Sequence, residues 1–134
     1  MNDPSRRTVI LSMAALTAGA AGTAVATNQT DKRYLVHHAL FWLKRPGSRE
    51  DRERLIAGLK TLRQIDAIRE LHIGVPANTE QRDVVDASFD VSEVMLFDDE
   101  AAQSAYQKHP VHRKFVEDCS SLWQKVVVYD AIDV

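Results

Sequence analysis

Tyr34-Leu35-Val36-His37-His38-Ala39-Leu40-Phe41-Trp42-Leu43-Lys44 decides the architecture. No Gly or Pro interrupts the run, and its aromatic residues favour an extended chain. Leu35, Ala39, Phe41 and Leu43 alternate with Tyr34, Val36, Leu40 and Trp42, so neither face of the strand is polar. A strand that is apolar on both sides is covered on both sides. Helices of the same chain supply one cover. The second face needs a cover that the chain does not contain, and a second copy is the economical answer. That copy is expected on the face carrying Ala39 and Phe41.

Outward from this strand, Pro46-Gly47 forms a break, and Ser48 with Asp51 approximates a capping box. Leu55, Ile56, Leu59, Leu62 and Ile65 then recur at helical spacing as one apolar stripe. A second strand is expected over 68–75, ended by Pro76, and residues 77–87 read as a polar loop. A third strand spans 88–97. Asp98-Asp99-Glu100 puts acids where the dipole of a new helix favours them. Pro110 breaks that helix and can open the next, where His112, Phe115, Val116 and Cys119 share a face. Residues 123–134 close the chain as a fourth strand, with Val126-Val127-Val128-Tyr129 favouring extension. The order βαββαβ is α+β, in the ferredoxin-like pattern.

The chain has 134 residues, enough for one domain. A net charge of −2, without long Lys/Arg runs, argues against nucleic acid as the partner. The single cysteine, Cys119, excludes an intrachain disulfide and the Cys-rich zinc modules, and its apolar helix face marks it for packing. Arg49-Glu50-Asp51-Arg52-Glu53-Arg54 mixes signs and reads as a solvated helix start. His37 and His38 point to opposite faces of one strand, so they cannot chelate one ion together. Neither a metal nor a cofactor is expected.

Residues 1–26 form a separate unit. Ser5-Arg6-Arg7 precedes an uncharged stretch, and Ala24-Val25-Ala26 offers small residues for cleavage. The pattern resembles a twin-arginine export signal, read by the twin-arginine export machinery. It implies a mature chain from Thr27 in the periplasm or otherwise exported. Residues 27–33 are a polar tether before the domain at 34–134. The alternative is a retained anchor, but Ala, Gly, Thr and Ser gain little in hydrocarbon, so no stable membrane anchor is expected.

Several anchors point to one family: Val36-His37-His38, Gly74, Phe89-Asp90, Trp123, Tyr129-Asp130 and, above all, Tyr106-Gln107-Lys108-His109-Pro110-Val111-His112. Over about 34–131 the chain resembles the stress-responsive dimeric α/β-barrel domains. The resemblance implies a ferredoxin-like monomer whose sheet pairs with that of a second copy, giving a homodimeric barrel. Within the family the chain is similar to the polyketide cyclases that close olivetolic acid. Carried over, the catalytic tyrosine and histidine of that type fall on Tyr106 and His112, and a pocket histidine on His38. The chain departs from it at Gly58, at Val91, and at Glu93, where an apolar residue is usual.

A tyrosine can hydrogen-bond a carbonyl where charge develops, while a neutral histidine takes a proton from carbon. Each of these residues also has a plainer reading: Tyr106 as a core aromatic, His112 as a buried ring, His109 as a helix cap. The expected pocket lining is His38, Leu40, Trp42, Leu55, Glu93, Met95 and Trp123. Glu93 either sits buried with a raised pKa, pairs with His38, or reaches water. The reading is a protein that binds a small apolar or aromatic ligand without catalysis. The alternative is a cofactor-free cyclase or isomerase using Tyr106 and His112.

Overall fold

The computed structural model describes residues 33–134. The expected export signal at 1–26, and all but the last residue of the expected tether, lie outside the described residues. β1 (Leu35–Leu43) leads into α1 (Arg49–Thr61), which ends in a 3-10 turn at Leu62–Gln64. β2 (Glu70–Gly74) and β3 (Val91–Phe97) follow, then α2 (Glu100–Lys108), α3 (Pro110–Cys119) and β4 (Trp123–Ile132). The sheet order is β2-β3-β1-β4, every pair antiparallel, as a ferredoxin-like α+β fold requires. No helix among the described residues is long and apolar enough to cross a membrane.

Local chemistry sets the boundaries. The Ser48 side chain accepts from the Asp51 backbone N–H and starts α1. Asp99 does the same for α2, accepting from Ala102 N–H at 2.8 Å. Pro110 sits at the start of α3, and His109 caps it, with Nδ1 accepting from Val111 N–H at 3.1 Å. β3 begins at Val91 rather than 88, just after Asp90, whose backbone N–H still donates to the Phe41 carbonyl at 2.8 Å. The Asp90 carboxylate accepts from the backbone N–H groups of Leu43 and Gly47. Gly47 has φ +74, the left-handed conformation that this turn needs.

The helices cover one face of the sheet as a single layer. Leu35, His37, Ala39, Phe41 and Leu43 of β1 are buried there, beside Val91, Glu93, Met95 and Phe97 of β3. Leu55, Leu59 and Leu62 descend onto them, fully buried. Each such leucine stabilises the fold by about 2 kcal/mol. Val36, His38, Leu40 and Trp42 occupy the opposite, helix-free face. Ala39 and Phe41 are therefore core residues, and the expectation that they meet a partner is corrected. Both alternating sets of β1 are apolar, so alternation alone could not say which faces inward.

Candidate functional site

The helix-covered face is not filled completely. A cavity of about 250 Å³ lies between the sheet and α2–α3. Trp123, Val126 and Val128 of β4 wall it on one side, and Phe115 and Val116 of α3 on another. Into this apolar shell four ionisable side chains converge: His37 from β1, Glu93 from β3, Tyr106 from α2 and His112 from α3.

The histidine that enters is His37. Its Nδ1–H donates to Asp130 Oδ1 on β4 at 2.6 Å, and the two residues are register partners across the β1–β4 ladder. The carboxylate can only accept, so it fixes the ring orientation. His37 meets the edge of the Tyr106 ring at 5.7 Å between centroids, and Tyr106 lies 4.6 Å from the His112 ring. Alternation of β1 places Ala39 and Phe41 beside His37 as further lining.

Burial governs the charges. It holds the His112 imidazole below its usual pKa, with His37 adding to the effect and the Gln107 backbone opposing it. Burial, then the neighbouring Glu93, pushes the Tyr106 phenol well above its ordinary value. Glu93 is 1% exposed, and its Oε1 has no hydrogen-bond partner. Desolvation pushes this carboxyl up to about 8. At neutral pH Glu93, Tyr106 and His112 are thus mainly uncharged.

Of the residues expected at the site, Tyr106, His112, Glu93 and Trp123 line the cavity together. His38, Leu40 and Trp42 do not. They stand on the helix-free face, where His38 bonds Ser92 Oγ at 2.9 Å and the Trp42 indole N–H donates to Ser88 Oγ. A shift of one residue along β1 moves a side chain through the sheet, so the pocket histidine is His37. Leu55 and Met95 are fully buried core and do not line the cavity. The His38 pair considered for Glu93 is absent for the same reason: the two side chains are on opposite faces.

The sequence marks Asp130 and Gln107 only as family anchors, not as site residues. Asp130 lies 93 residues from its partner, and only the strand register joins them. A usable signal for His37 was the neighbouring Ala39 and Phe41, which continue its face. No three His, Cys, Asp or Glu side chains among the described residues stand together as metal ligands.

A second groove of about 390 Å³ runs between α1 and α3. Its charged side chains, Lys114 and Asp118, pair with each other at 2.9 Å. A Cβ at Gly58 would collide with Cys119 Sγ, so glycine permits the close crossing of these helices. Burial raises the Cys119 thiol pKa, as suits a packing residue.

The architecture recurs in solved structures. A ferredoxin-like protein from Mesorhizobium loti is 22% identical, with TM-score 0.62, covering 76% of this chain and 98% of its own. A dimeric ferredoxin-like protein of unknown function from Thermobifida fusca is 22% identical (TM-score 0.60; 75% and 92% covered). The hydroxynitrile lyase of Passiflora edulis is 19% identical (TM-score 0.63; 77% and 95% covered). At these identities the likeness concerns the fold. No curated protein matches the chain. The stress responsive A/B barrel domain family matches residues 35–133, from the first residue of β1 to just past β4 and so across the whole cavity, and the chain belongs to that family.

Proposed function

We propose that the cavity binds a small, largely apolar or aromatic carbonyl compound and moves a proton on it without a cofactor. The observation that carries this is the His37–Asp130 pair at 2.6 Å, anchored beside Tyr106 and His112 in one apolar cavity. A merely packed core does not need a histidine oriented by a distant carboxylate. Tyr106 O–H donates to the carbonyl oxygen, and the neutral His112 accepts a proton from the adjacent carbon. The resulting enolate is held at oxygen by the phenol, and the imidazolium returns its proton to complete an exchange, isomerisation or ring closure. The hydroxynitrile lyase of Passiflora edulis shows that a protein of similar fold supports catalysis.

A second reading, ligand binding without chemistry, rests on the near-complete burial of Tyr106 at 2% exposure. The experiment that separates the two follows deuterium exchange into the methyl group of acetophenone by NMR. Catalysis predicts exchange well above buffer, lowered about a hundredfold by His112→Gln and by Tyr106→Phe. Binding of acetophenone with exchange at the buffer rate would leave only the binding reading.

Two further proposals complete the function. The protein pairs with a second copy through the face carrying Val36, Leu40 and Trp42. The dimeric state described for the Thermobifida fusca protein supports this. It is exported through the twin-arginine route to the periplasm, which the Ser5-Arg6-Arg7 pattern and the Ala24-Val25-Ala26 site support.

A further inference from the structure

Glu93 is the least explained side chain of the molecule. It stands mid-strand in β3, 1% exposed, with Ala39 across one ladder and Ile73 across the other. Neither neighbour's side chain can hydrogen-bond, and Oε1 is unpartnered. Yet Glu93 lines the cavity. A buried polar group without a partner is costly, and stable folds seldom keep one without a use for it.

The surroundings say what that use is. The other titratable groups facing the cavity are His37 with its Asp130 from β1 and β4, Tyr106 from α2, and His112 from α3. No lysine or arginine lines it among the described residues. Among the described residues no charge offsets that of a Glu93 carboxylate, so the acid form is the one that the apolar wall tolerates. An acid form carries an O–H donor, and Tyr106 is close enough for the two groups to interact electrostatically. A carboxylic acid kept neutral by an apolar site can donate to an oxygen on which negative charge develops.

We propose that Glu93, as a neutral carboxylic acid, is a second donor beside Tyr106 to the carbonyl oxygen of the ligand, selecting uncharged carbonyl compounds over amines and hydrocarbons. The inference rests on the proposed carbonyl chemistry of this cavity and assigns the oxygen subsite within it. No bond to Glu93 forms or breaks. Its O–H lends a hydrogen bond as the enolate forms and keeps its proton when the carbonyl returns.

The test uses acetophenone, ethylbenzene and benzylamine as probes, with the Trp123 indole N–H followed by NMR. Wild type should bind acetophenone at least about tenfold more tightly than ethylbenzene. Glu93→Leu should abolish that preference, leave ethylbenzene binding intact and slow methyl deuterium exchange by about a hundredfold. Glu93→Gln, which keeps a donor and the shape, should retain most of the preference. In wild type the preference should fade as pH rises past about 8, and in Glu93→Gln it should persist. The bound ketone stretch should lie at lower frequency in wild type than in Glu93→Leu.

Tighter binding of benzylamine than acetophenone, lost in Glu93→Gln, would make Glu93 a counter-charge and overturn the proposal. Exchange that needs Tyr106 and His112 but ignores Glu93→Leu would overturn it too, while leaving the proton-transfer reading standing. Failure of all three probes to move Trp123 would remove both.

Discussion

Glu93 links folding to pH. Its carboxyl titrates near 4.5 in an ordinary setting and about 8 in the fold. Between those values the native state holds a proton that the unfolded chain has released, so stability falls as pH rises through this window. The loss is on the order of a few kcal/mol by pH 9. Glu93→Gln removes the titration. Thermal melts at pH 5 and pH 9 should show the variant gaining on wild type at the higher pH. An equal difference at both pH values would place the carboxyl in water. His112 acts in the opposite direction, since burial lowers its pKa and protonation at acid pH opposes folding. Its contribution is common to both proteins and cancels in the difference. Tyr106 and His112 were legible in the sequence through the family motif, and Glu93 as a carboxylate where an apolar residue is usual. His37 was hidden by its neighbour His38, because adjacent strand residues differ only in which face they occupy.

At the scale of elements, β1 carries the most consequence. Its inner set, Leu35 to Leu43 by twos, is core, while Val36, His38, Leu40 and Trp42 stay half-buried on a face without helices. Leu40 stands between Ser92 and Val127 on that face. Leu40→Glu should yield a folded monomer, with circular dichroism kept and sedimentation velocity showing half the wild-type mass. Phe41→Glu should unfold the chain, because it places a charge in the core without a partner. A monomeric wild type would overturn the interface. The helices were the easiest elements to read. Ser48, Asp99 and Pro110 act within a few residues of themselves, so their signals survive without tertiary context. The strand ends at 70 and 91 depend instead on pairing with neighbouring strands that are distant in the sequence.

At the scale of the whole molecule, the domain is one layer of helices on one sheet, and the proposed export signal precedes it in the sequence. Arg6 and Arg7 changed together to Lys should hold precursor in the cytoplasm of a bacterial host, as fractionation and N-terminal sequencing would register. Continued appearance of a chain starting near Thr27 outside the cytoplasm would refute the twin-arginine route. The sequence by itself determined the element order, the helix starts and the family. These rest on period, caps and motif, which are local along the chain. The tertiary structure alone decided which face of β1 is inward. It also joined His37 to Asp130 across 93 residues and left Glu93 without a partner. The reason is physical: strand register and the packing of helices on one side of a sheet are long-range choices, and a chain apolar on both faces does not encode them locally.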